Sequence, residues 1–132
     1  MHINHFAVVA AALASFVIGG VWYSPLLFHK AWMDANRFNE EQLRNASMGK
    51  IFGVSLVLSL IMAYNLAAFL GGADTTAAWG ATAGALAGIG WVALSIGVLG
   101  LFERRSLKYV LINGGYFSVS FVAMGAIIGA WR

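Results

Sequence analysis

Apolar residues in this chain fall into four long unbroken runs separated by short polar stretches. They neither alternate with the period of a half-buried strand nor mark one face of an amphipathic helix. The runs cover about residues 3–23, 51–70, 77–102 and 109–131, and none of them contains Asp, Glu, Lys or Arg. About 20 consecutive apolar residues, coiled as a helix, cross the hydrocarbon core of a bilayer. In lipid every backbone N–H and C=O must be satisfied internally, which a helix does within its own segment. The pattern predicts an all-α fold: one transmembrane domain over residues 1–132, built as an integral membrane four-helix bundle. No Lys or Arg precedes the first run, and it is long enough to span, so it reads as a retained span rather than a cleaved leader.

The polar stretches carry the topology. Pro25 cannot donate a backbone hydrogen bond and pushes Ser24 out of the helical region, so the chain turns after Trp22-Tyr23. From Leu26 to Phe38 apolar and charged residues mix, and Phe28 and Trp32 share one helical face. This predicts a short interfacial helix between spans one and two. Asn39-Glu40-Glu41-Gln42 has the form of a capped helix start. From there the helix is expected to run without a break through Arg44 and Lys50 into the second span. Loop 24–50 holds Lys30, Arg37, Arg44 and Lys50, loop 103–108 holds Arg104, Arg105 and Lys108, and the 71–76 turn holds no basic residue. By the positive-inside rule, 24–50 and 103–108 are cytoplasmic and both termini are extracytoplasmic.

Composition agrees with this and narrows it. The chain has 132 residues, 61% hydrophobic and 10% charged, with a mean hydropathy of +0.80. A soluble domain this small keeps too much surface to hide that apolar content. The net charge of +3 could suggest nucleic acid, but the bases are divided among membrane-flanking loops, so no nucleic-acid partner is expected. The count of 0 cysteines excludes disulfides and thiolate metal ligands.

Every span carries small residues four apart, the spacing that lets helices approach closely in lipid. These are Ala7, Ala11, Ser15 and Gly19; Ser55, Ser59, Ala63 and Ala67; Gly80, Gly84 and Gly88; and Gly125 and Gly129. They serve packing within the subunit or a homo-oligomer interface, and the small interior of a bundle this size favours an oligomer through at least one ridge.

Candidate chemistry is sparse. Intramembrane charges mark proton relays and ion coupling, and their absence argues against an acidic relay. Asn113 and Ser118 are the intramembrane polar candidates, with an interhelical hydrogen bond as the plainer role for Asn113. A denser cluster lies where the first span meets its loop: Trp22, Tyr23, Ser24, Pro25, His29, Lys30 and Trp32, with Arg104 on the same side. It reads either as a pocket for an anionic lipid headgroup or as an interfacial aromatic belt with snorkelling bases. His2 and His5 have the spacing of a shared metal but no third ligand nearby, and Ser24 with His29 has no acid to orient the imidazole. No metal site, cofactor or enzymatic activity is expected.

The stretch Gly19-Gly20-Val21-Trp22-Tyr23-Ser24-Pro25-Leu26-Leu27-Phe28-His29-Lys30-Ala31-Trp32-Met33 resembles the signature of a bacterial family, domain of unknown function 1761 (DUF1761). That family commonly has Gly where this chain has His29. The resemblance extends over the whole chain. It implies a small four-span protein of the bacterial cytoplasmic (inner) membrane, with a distinctive first-loop motif and no assigned activity. If the motif is a site, the matching positions are Trp22, Tyr23, Ser24, Pro25, Lys30 and Trp32. The expected function is an oligomeric scaffold or lipid-interacting protein, with membrane lipids as partners. The alternative is a small oligomeric channel or transporter for an ion or small solute.

Overall fold

A computed structural model describes residues 3–132, and among these it is all-helical. Six helices follow one another: α1 His5–Trp22, α2 His29–Asn36, α3 Glu40–Arg44, α4 Met48–Phe69, α5 Ala77–Phe102 and α6 Leu107–Ala130. Four of them (α1, α4, α5 and α6) are long and apolar enough to cross a membrane. Polar side chains start most of these helices by accepting the free N–H groups of the first turn. Asn4 accepts from Phe6 and Ala7, Thr76 from Trp79 and Ser106 from Tyr109. In α3, Asn39 and Gln42 form a reciprocal capping box with both bonds at 2.8 Å.

The expected continuous helix from Asn39 into the second span is interrupted. α3 ends at Arg44, Asn45–Ser47 leave the helix, and α4 restarts at Met48 from an extended Ser47. Asn and Ser compete for backbone groups in non-helical conformations, which favours a break where two of them flank one alanine.

The four long helices pack up and down. Both basic loops meet at one end, where Lys108 Nζ lies 3.9 Å from Asp34 Oδ2. The start of α1, the C-terminal residues and the 71–76 turn meet at the other. There Arg132 donates to the carbonyls of Leu70 and Gly72, and Asn4 approaches the carbonyls of Trp131 and Arg132. The core sits between α1, α4 and α6: Val8, Ala11 and Ala12 against Ala63, Leu66, Ala67 and Leu70, with Phe121, Met124 and Ile128. α4 joins this core only through its second half. Met48–Leu58 are exposed, and Phe52 meets α1 at the Phe16 ring, 5.7 Å between centroids.

α5 and α6 are in backbone contact. A Cβ at Gly80 would strike the Gly125 carbonyl, one at Gly125 the Gly80 carbonyl, one at Gly84 the Phe121 carbonyl and one at Gly129 the Thr76 carbonyl. Glycine is required at these crossings because any side chain would separate the helices. Midway, α5 widens into a π-helical segment, Gly88–Ala93, which the sequence reading did not anticipate. Two rows of α5 face the bundle. One runs Gly80, Gly84, Gly88 and then Ala93 against Gly114; the other runs Ala83, Ala87 and then Val92. Both rows advance by four residues and then by five across the wide turn. With an ordinary α turn, Trp91 would replace Val92 on the packed side; instead Trp91 is 70% exposed.

Candidate functional site

The first-loop motif is an anchored turn whose aromatic residues face inward. Ser24–Leu27 form a tight turn closed by Leu27 N–H to the Ser24 carbonyl at 3.0 Å. Pro25 holds its second position, where a fixed φ suits the turn. The Ser24 hydroxyl donates to the Val21 carbonyl at 2.6 Å and accepts from Leu26 N–H at 3.3 Å. His29 Nδ1 lies 3.1 Å from the Tyr23 carbonyl, which ties the start of α2 to the end of α1. Ser24 and His29 are therefore both engaged with local backbone.

Trp22 and Tyr23 reach across to α6. Trp22 Nε1 donates to the Ile112 carbonyl at 2.9 Å, and its ring passes over Gly115, where a Cβ would stand 2.9 Å from the indole. The Tyr23 hydroxyl donates to Asn113 Oδ1 at 2.7 Å, and Asn113 Nδ2 donates to the Tyr109 carbonyl at 3.0 Å. Asn113 is thus an interhelical acceptor. Edge contacts extend the cluster from Tyr23 to Trp32 and Tyr116, at 5.8 and 5.5 Å between ring centroids. Tyr116 in turn donates to the Ser15 carbonyl at 3.2 Å. Ser118 donates to the Gly114 carbonyl of its own helix at 2.7 Å. At the far end, His5 Nδ1 lies 2.8 Å from the Tyr64 hydroxyl, and His2 falls outside the described residues.

Lys30 and Arg104 do not line a shared pocket. Lys30 is exposed on α2. Arg104 lines an open cleft of about 610 Å³ with Asp34, Ala35, Arg37, Glu103, Arg105, Ser106 and Lys108. Four cations there face two carboxylates. Lys108 is near Asp34, while Arg105 pairs with Glu103 at 3.4 Å and lies over the Tyr109 ring at 4.9 Å. Among the described residues, Arg37 and Arg104 have no ionic partner.

Both of these arginines close a helix in the left-handed conformation, Arg37 at φ 58° after α2 and Arg104 at φ 57° after α5. In each case the next N–H reaches back five residues, Phe38 to the Met33 carbonyl and Arg105 to the Gly100 carbonyl. Glycine is the usual occupant, because an L side chain in this region costs about 1–2 kcal/mol. A cation at a helix C-terminus recovers about 0.3–1 kcal/mol, less than that cost. The sequence alone groups Arg104 and its neighbour Arg105 with Lys30, and gives no reason to add Arg37 or Lys108 to the site. The missing signal was the end of α2 at Asn36, which turns Arg37 towards the second basic loop.

No curated protein and no solved structure matches this chain. A family model, protein of unknown function (DUF1761), matches residues 6–129, nearly the whole length that carries these helices and the first-loop motif, and the chain belongs to that family.

Proposed function

We propose that this multi-pass membrane protein is a lipid-interacting scaffold of the bacterial cytoplasmic membrane. It works as a homo-oligomer, with its basic end in the cytoplasm and both termini outside. The observation that carries the reading is the cleft at the basic end, where Arg37, Arg104, Arg105 and Lys108 outnumber Asp34 and Glu103. It lies beside the Trp22–Trp32 aromatics, residue types that favour the headgroup level. Anionic headgroups on the cytoplasmic leaflet attract basic segments of this kind. The interior supports a scaffold over a conduit. Asn113 and Ser118 hydrogen-bond to α6 carbonyls and to Tyr23, and the bundle core closes on Val8, Ala63 and Met124. An oligomer finds support in the first half of α4, where a Cβ on Gly49 or Gly53 would meet nothing within 4 Å.

The test is an intact mass spectrum of the protein extracted with its native lipids. A defined oligomer that retains anionic phospholipid in preference to zwitterionic phospholipid is expected. A bound non-lipid metabolite, or no preference between lipids, overturns the reading and favours a small-solute transporter.

A further inference from the structure

We propose that the cleft between α2 and the α5–α6 turn is a phosphate-binding site held by Arg37 and Arg104. The inference deepens the lipid-interacting reading and rests on it. Among the four cations of the cleft, Arg105 and Lys108 already face Glu103, Tyr109 and Asp34. Arg37 and Arg104 are the two without an ionic partner among the described residues, and they belong to different loops. Each stands at a left-handed helix terminus where glycine would close the same turn with less strain. Two arginines at glycine positions, aligned on one cleft, indicate that the guanidinium groups are needed there. A planar guanidinium presents paired donors that match two phosphate oxygens. The first turn of α6 borders the same space through Ser106 and Lys108, and the positive end of that 24-residue helix dipole adds to the field. The shared chemistry is a phosphate anion, carried either by a lipid headgroup or by a free phosphate.

The full chain in neutral detergent is titrated by calorimetry with short-chain phosphatidylglycerol and, separately, with inorganic phosphate. Removal of two charged hydrogen-bonding groups is expected to weaken binding roughly tenfold or more in R37Q/R104Q. R44Q/K50Q, which removes two bases outside the cleft, is expected to stay within about twofold of wild type. R37G/R104G guards against misfolding: glycine relieves both left-handed positions, so this variant should melt no lower than wild type and still lose binding. Unchanged phosphatidylglycerol affinity in R37Q/R104Q, or an equal loss in R44Q/K50Q, overturns the site while leaving the lipid reading intact. Binding of inorganic phosphate but not phosphatidylglycerol, lost in R37Q/R104Q, keeps the site and overturns the lipid reading.

Discussion

At the scale of single residues, two hydroxyls have opposite consequences. The Tyr23 hydroxyl joins α1 to α6 by donating to Asn113 Oδ1 at 2.7 Å. Ser120 is fully buried, and its Oγ has no hydrogen-bond partner among the described residues. Interhelical hydrogen bonds in membranes contribute roughly 0.6–2 kcal/mol, so Tyr23→Phe should lower stability by about that amount. Ser120→Ala removes an unsatisfied hydroxyl of similar volume and should be neutral or stabilising by up to about 1 kcal/mol. Unfolding in mixed detergent micelles, followed by circular dichroism, distinguishes them: equal losses in the two variants would refute the assignment. The polarity of Asn113 was legible in the sequence. Its partner was not, because Tyr23 lies 90 residues away and looks like any interfacial tyrosine until α1 is set against α6.

At the scale of elements, α5 shows how a spacing in the sequence becomes a backbone geometry. Its packed rows reach Ala93 and Val92 by a five-residue step, and the π turn at Gly88–Ala93 absorbs the extra residue. The glycines at four-residue spacing were readable as a ridge. The step to Ala93 was hidden because alanine is common in an apolar span and no proline or charge marks the widening. A deletion tests this account. Removing Gly90, where a Cβ would meet nothing within 4 Å, leaves Gly88 and Ala93 four apart and Ala87 and Val92 four apart. An ordinary α-helix then serves both rows, so the fold should survive. Removing Leu86 instead puts Gly84 and Gly88 out of step, and α5 should no longer close on α6. Monodisperse elution with a melting temperature within a few degrees of wild type is expected for the Gly90 deletion, and aggregation for the Leu86 deletion. Aggregation of both would show that the π turn does not set the register.

At the scale of the whole molecule, charge and packing give the same division of ends. Lys108 and Asp34 bring the two basic loops together, and Arg132 and Asn4 tie the opposite end. This division was legible in the sequence because topology depends on which loops hold lysine and arginine, and no contact has to be known. The cleft was hidden for the converse reason: its lining joins residues 34–37 to 103–108 only after α2 folds back on α6. The side of the membrane on which the basic end lies then follows from the positive-inside rule. The chain has 0 cysteines, so a single introduced thiol is an unambiguous reporter. Glu41 lies in the first basic loop and Asp74 in the opposite turn, and both are exposed. In spheroplasts, a membrane-impermeant maleimide should label Asp74→Cys and leave Glu41→Cys unmodified until the membrane is broken. The reverse pattern would turn the protein over and put the Arg37–Arg104 cleft against the outer leaflet, away from the anionic cytoplasmic surface that the lipid reading requires. Labelling of both thiols in intact spheroplasts would refute the four-span arrangement itself. A single crossing, α4, separates Glu41 from Asp74, so a four-span bundle cannot present both thiols to the same side.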